Sequence, residues 1–194
     1  MADQKISAMP NAFTLTGAEL IPLVQGGANV KTTVSVLEAF TNNYGAFSDS
    51  TDQTGSTTAG TVITFNTVDV TDGVTLASGS RMTVPRTGIF DLQFSAQLKN
   101  TDNVQHEVYI WFRVNGVDVP NSATQLTVPA RKNASIMGYS VAAWNIFLSM
   151  TAGQYVEIVW LPSSTLVTLE HLPSSASPAY PAVPSIIATV QQVG

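Results

Sequence analysis

Gly88-Ile89-Phe90-Asp91-Leu92-Gln93-Phe94-Ser95-Ala96-Gln97-Leu98 alternates without a break. Phe90, Leu92, Phe94, Ala96 and Leu98 line one face; Asp91, Gln93, Ser95 and Gln97 line the other. A period of two marks a strand buried on one side, because successive side chains leave opposite faces of a sheet. The pattern returns from Glu107 to Val114, with Val108, Ile110, Phe112 and Val114 inward and Glu107, Tyr109, Trp111 and Arg113 outward. Asn115-Gly116 follows as a hairpin signal leading into Val117-Asp118-Val119. Further strands are predicted at 135–141, 145–150, 155–161, 166–172 and 185–193. Between His171 and Ser185, Pro173, Pro178, Pro181 and Pro184 exclude a central strand and predict an extended surface loop. Eight to ten short strands separated by turns predict an all-β sandwich or jelly roll with minimal helix.

Composition agrees with that class. The chain has 194 residues, enough for one domain and a small appendage. Charged residues make up 11%, against roughly 25% in a typical soluble domain, while 18 Ser and 23 Thr supply a neutral, hydroxyl-rich surface. Net charge is −5, with 8 Lys and Arg scattered singly apart from Arg131-Lys132. No basic stripe is available to neutralise phosphates, so nucleic-acid binding is not expected. The absence of cysteine removes disulfides, thiolate zinc sites and cysteine nucleophiles together. The N-terminus, Met-Ala-Asp-Gln-Lys, lacks the apolar stretch of a signal peptide. The uncharged run 133–156 is interrupted by Asn133, Ser135, Ser140, Asn145, Ser149 and Gln154, so it reads as buried strands and no membrane insertion is expected.

Residues 1–40 stand apart. Ile21-Pro22-Leu23-Val24-Gln25 and Val30-Lys31-Thr32-Thr33-Val34 flank Gly26-Gly27, whose positive φ suits a tight hairpin. Ser35-Val36-Leu37-Glu38 fits a capping box opening a short helix that ends near Phe40. Forty cysteine-free residues rarely fold alone, so this segment is expected to dock on something through Leu20, Leu23, Val24, Gly26, Gly27, Val30, Val34 and Leu37. Residues 41–60 read as a linker passing into a first irregular strand, and 61–194 as the main domain.

Catalytic and metal chemistry are not predicted. His106 and His171 are the two histidines. Asp102-Asn103-Val104-Gln105 reads as a hairpin loop, which makes His106 a solvated loop residue, and Glu170 and His171 point to opposite faces of a strand. Asp49 with Asp52, and Asp69 with Asp72, sit among Thr, Ser and Gly, where Asp stabilises turns. No cofactor is implied. The informative residues are aromatic. Tyr109 and Trp111 lie on the polar face of their strand beside Arg113, where a monomer would expose them, and Trp144, Phe147 and Tyr155 add large rings in later strands. Interfaces enrich aromatic residues and Arg while shedding other charge, and residues 133–194 carry only Glu157 and Glu170. These six residues are predicted to form a subunit contact. Trp160 fits the core equally well.

Taken in order, four stretches carry a resemblance: Tyr44-Gly45-Ala46-Phe47-Ser48-Asp49, then Thr87 to Ala96, then Val114-Asn115-Gly116-Val117-Asp118-Val119-Pro120, then Pro184-Ser185-Ile186-Ile187-Ala188-Thr189-Val190. They resemble the complement-globular-head and tumour-necrosis-factor-like domain, in the versions carried by bacteriophage virion proteins. The likeness covers residues 44–194 and implies a ten-stranded jelly-roll sandwich forming a compact homotrimeric knob. Lys5-Ile6-Ser7-Ala8-Met9-Pro10, Leu15 to Gly27 and Lys31-Thr32-Thr33 resemble the attachment ends of phage fibre and decoration proteins. No heptads or Gly-X-Y repeats intervene, which implies a stubby fibre.

The resemblance implies a non-enzymatic virion structural protein assembled in the host cytoplasm. Its N-terminus would anchor a trimeric knob to the capsid or collar, and the head would adhere to a host-surface glycan or protein through loops that include Ser174, Ser175, Ser177 and Tyr180. A tail-fibre receptor-binding protein is the alternative, and a secreted lectin-like module the second. The scarcity of histidine disfavours a virion hydrolase.

Overall fold

The computed structural model describes residue 16, residues 18–38 and residues 43–194, with the backbone only at Ser35 and Glu38. The Lys5–Pro10 motif and the expected helix end near Phe40 lie outside the described residues. Two units divide the chain, Met1–Asn42 and Asn43–Gly194.

The first unit is a hairpin followed by one helical turn. β1 (Leu20–Gln25) pairs antiparallel with β2 (Ala28–Thr33), from Leu20 opposite Thr33 to Gln25 opposite Ala28. Gly26 and Gly27, at φ of 61° and 79°, make the turn, and their missing Cβ permits it. α1 spans Val34–Glu38. Ser35 lies inside it and is therefore not its cap. Thr33 Oγ1 accepts from the Val36 amide at 3.4 Å, and the Val34 amide donates to Glu19 O at 3.1 Å. The helix starts earlier than the capping-box reading had it, because Thr33 ends the strand with its hydroxyl already in place.

The second unit is a two-sheet antiparallel sandwich. Its first strands are β3 (Tyr44–Asp49), β4 (Gln53–Thr54), β5 (Thr61–Val62), β6 (Thr67–Asp72), β7 (Thr75–Ala77) and β8 (Arg81–Thr83). β9 (Gly88–Asn100), β10 (His106–Val114), β11 (Val117–Asp118), β12 (Thr124–Val128) and β13 (Gly138–Met150) follow. The last are β14 (Tyr155–Pro162), β15 (Val167–Leu169), β16 (Ser175–Ala176), β17 (Ala179–Tyr180) and β18 (Ile186–Gln192). Sheet I runs β13–β9–β18–β3–β6, extended by β15 and β4. Sheet II runs β12–β10–β14–β8–β7, with β11 beside β10 and β5 beside β14. From β8 onward the chain passes back and forth between the sheets, so β9, β10, β13 and β14 alternate layers. That winding is a jelly roll.

The core lies where the sequence periodicity put it. Phe90, Leu92, Phe94, Ala96 and Leu98 of β9 face Val108, Ile110 and Phe112 of β10, all buried. Phe94, Phe112 and Trp144 meet edge to face, with centroids 4.5 to 6.4 Å apart. Trp160 is fully buried opposite Ile110.

Several expectations need correction. Residues 138–150 form one 13-residue strand rather than two, because Ala142 and Ala143 pair with Ala96 and Ser95 and keep the ladder unbroken. The first strand expected within 41–60 is β3, which belongs to the sandwich, since Phe47 is wholly buried and the strand pairs with β18 and β6; the linker is therefore shorter than 41–60 implied, while residues 41–42 lie outside the described residues. The strand expected at 166–172 shortens to β15. Residues 101–105 carry the chain from sheet I to sheet II and are a crossover, not a hairpin loop. The proline-rich segment carries a two-residue ladder, β16 with β17, because its prolines fall outside the paired positions. Its neck is closed by Leu172 and Val183, which exchange backbone hydrogen bonds at 2.9 and 2.8 Å.

Candidate functional site

The six residues predicted as one subunit contact are divided by strand parity. Phe147 projects from the outer face of sheet I and is 62% exposed. Trp144 is three residues earlier and turns inward, its ring 4.5 Å from that of Phe94, so it is a core residue. Tyr109, Trp111, Arg113 and Tyr155 lie on the outer face of sheet II, where Arg113 pairs with Glu157 and Trp111 with Val159.

On sheet II these groups are largely used inside the chain. Trp111 Nε1 donates to Asp118 Oδ1 at 2.8 Å, and Arg113 Nε donates to the same oxygen at 2.9 Å. Residues 55–62 cross above Trp111 so closely that a Cβ on Gly60 would lie 2.6 Å from the indole and 2.8 Å from Val159 Cγ1. Arg81 stacks over the Tyr155 ring at 4.5 Å and reaches Glu157 at 3.3 Å. An aromatic on the polar side of a strand therefore does not require a second subunit; here a segment 50 residues upstream covers it. Tyr109, at 40%, stays exposed.

The Trp111 indole first, and then the Arg113 guanidinium, hold the Asp118 carboxyl below its ordinary value. A lowered folded-state value means stability present above the ordinary carboxylate range and lost as pH falls through the folded value. Asp118 is solvent-exposed, so the contribution is at most about 1 kcal/mol. Wild type should melt a few degrees above Asp118→Asn at pH 7, and the gap should close near pH 3; an unchanged gap at low pH would show that charge is not its source.

The outer face of sheet I is different in kind. Tyr139 and Val141, at 55% and 57%, accompany Phe147 on β13, and Ile89 and Ile187 are exposed on β9 and β18. Between them lie Gln93, Ser95, Gln97, Thr189 and Gln191. Asp91 lies toward the opposite end of the face from Lys99, and amides cap it: Gln93 Nε2 donates at 2.7 Å and Asn145 Nδ2 at 3.2 Å. Lys99, at the end of the face, is paired with Glu170 at 2.5 Å. Shallow depressions follow this face, lined by Ser95, Ile187 and Thr189, by Ala143 and Asn145, and by Tyr44, Ala46 and Val70. Sequence reasoning missed Tyr139, Val141 and Ile187. Their alternation with buried neighbours inside the strands expected at 135–141 and 185–193 was the available signal.

In the N-terminal unit, Leu20, Val24, Val30 and Leu37 are exposed, while Leu23 and Val34 are half-buried. A groove lined by Leu23, Val24, Val30, Val36 and Leu37 runs along the hairpin, and Gly26 and Gly27 form its tip. In the proline-rich loop Ser174, Ser177 and Tyr180 are exposed and Ser175 is half-buried. Asp49 and Asp69 are occupied as turn and cross-strand acceptors: Asp49 takes the Thr51 amide at 2.8 Å and Asp69 the Ser48 hydroxyl at 3.1 Å. Among the described residues no cluster of three or more His, Asp or Glu is arranged to hold a metal.

No family model matches the chain, and no curated protein matches it. Among solved structures, it is similar to the globular domain of zebrafish complement 1qA protein, at 10% identity and a TM-score of 0.45, over 79% of this chain and 98% of that one.

Proposed function

We propose that the protein is a structural and binding module of a bacteriophage virion, assembled in the host cytoplasm. Three copies of the sandwich close around the outer face of sheet I, and the N-terminal hairpin anchors the resulting knob to the capsid or collar. The observation that carries this reading is the uncovered face bearing Phe147, Tyr139, Val141 and Ile187, on which the Asp91 carboxylate is hydrogen-bonded by two amides. Several large exposed apolar side chains gathered on one face, with uncharged amides and hydroxyls between them, suit an interaction surface, and depletion of charge is the mark of an interface core. The face of sheet II suits the role less well, because Arg81, Glu157, Arg113 and Asp118 lay a charge ladder across it.

The hairpin supports the anchoring half. β1 and β2 form a two-stranded sheet with exposed apolar side chains, and two strands alone are marginal in water. Docking by strand pairing or by filling its groove completes it. The loops of the head, with Ser174, Ser175, Ser177 and Tyr180 among them, then face a host-surface glycan or protein, as loops on a rigid scaffold do.

Deleting residues 1–42 tests the assignment of roles. The shortened chain should remain trimeric by light scattering and should no longer co-sediment with the particle. A shortened chain that still joins the particle would place the anchor in the head, as for a tail-fibre tip bound by its sandwich.

A further inference from the structure

The crossover at 101–105 and the loop after β14 meet at one end of the sandwich and bring Ser163 to His106, 57 residues earlier in the chain, and to the nearby Asp102. His106 Nε2 lies 2.9 Å from Asp102 Oδ2, and His106 Nδ1 lies 3.3 Å from Ser163 Oγ. A carboxylate only accepts, so Nε2 carries the proton and Nδ1 is left to accept from the serine hydroxyl. Ser163 Oγ in turn accepts from the Glu107 amide at 3.1 Å, which fixes the hydroxyl and leaves its own proton directed to the imidazole.

The trio is held from several sides. Ser163 N donates to Glu107 O at 2.9 Å, Asp102 N donates to Asn100 Oδ1 at 2.8 Å, and Arg131 N donates to Asp102 O at 2.8 Å. The His106 bond, followed by the Asn103 amide, holds the Asp102 carboxyl below its ordinary value, so it is ionised at neutral pH. His106 is half-buried and Ser163 is exposed, so the hydroxyl is accessible while its base is oriented. Exposed Val104 and Leu166 sit in the same two loops and offer apolar surface to a short acyl chain.

We infer that Ser163 is a nucleophile, with His106 as its general base and Asp102 as the positioning residue, and that it takes a short-chain acyl group from an ester. Ser163 Oγ attacks the carbonyl carbon as its proton passes to His106 Nδ1. The tetrahedral adduct expels the alcohol, which leaves with that proton, and an acyl-serine forms. Water, deprotonated by the same imidazole, then releases the carboxylic acid and restores the hydroxyl. On an open loop the expected event is slow acylation rather than rapid turnover, so covalent labelling is the readout.

The full chain should be incubated with a fluorophosphonate and with p-nitrophenyl butyrate, and adducts located by mass spectrometry. A single adduct on Ser163 is expected, absent in Ser163→Ala, unaffected by Ser164→Ala and formed about tenfold or more slowly in His106→Gln. No adduct on the wild-type chain, adducts scattered over other hydroxyls, or an unchanged rate in a folded His106→Gln would overturn the inference and leave the trio as a tie between loops. Wild-type labelling needs no variant to fold, and the mass of the same sample by light scattering reports assembly separately. Failure here therefore does not touch the trimer, nor does failure of the trimer touch this site.

Discussion

Truncating Phe112 to alanine should cost about 3–5 kcal/mol of folding stability, the range for removing a large ring from a core that relaxes only in part. The side chain is wholly buried and sits between the sheets, with its ring centroid 5.8 Å from Phe94 and 6.4 Å from Trp144. β10 is also the strand through which β12 and β14 are joined, so the cavity opens at the middle of sheet II. Its backbone amide is fixed independently by Ser122 Oγ at 3.1 Å, which limits how far the strand can collapse into the space. Chemical denaturation should therefore show a large fall in midpoint at constant slope, read at one protein concentration because assembly contributes to apparent stability. Tyr109→Ala, three residues away on the solvent side, should cost less than about 1 kcal/mol. Equal losses at the two positions would mean that the inward and outward faces of β10 have been assigned wrongly.

The contrast between those two residues is also what the sequence makes legible. Strict alternation in 88–98 and 106–114 fixes which side chains enter the core, because a one-residue slip would move every one of them to water. Strands of that kind separated by turns predict a sandwich or a jelly roll, and the resemblance, rather than the periodicity, points to the jelly roll. Tyr44-Gly45-Ala46-Phe47 shows no such alternation: glycine and alanine beside an Asn- and Thr-rich stretch blur its start, so the resemblance marks the strand, while its pairing with β18 and β6 fixes its place. The candidate interface was harder. Trp144 and Phe147 are both large rings in one uncharged run, yet three positions apart on a strand means opposite faces, and only an unbroken β13 makes that parity visible. The cover over Trp111 comes from Gly60, and the partner of His106 from Ser163. Neither proximity follows from local pattern, since each depends on how a jelly roll folds distant loops together.

Phe147→Asp should turn a trimer into a monomer of 20.6 kDa while leaving the fold intact. Phe147 contributes nothing to the core of its own copy: it lies at 62% exposure on the outer face of sheet I, opposite Asp91 in the ladder. In the isolated sandwich the substitution therefore costs little, apart from placing a second carboxylate beside Asp91. In the proposed trimer the position is covered in every copy. Each aspartate would then lose its water without gaining a partner, a penalty of several kilocalories per mole for an uncompensated buried charge, imposed three times on one equilibrium. Light scattering at micromolar concentration should show the loss of the trimer, with a far-ultraviolet spectrum unchanged. Val117→Asp, at the exposed first position of β11 in sheet II, adds the same charge outside the proposed contact and should stay trimeric. The opposite pattern, a trimer that survives Phe147→Asp and dissociates with Val117→Asp, would move the contact to the end of sheet II nearest Trp111 and Arg113. A wild-type chain that is monomeric at those concentrations would remove the need for any shared face.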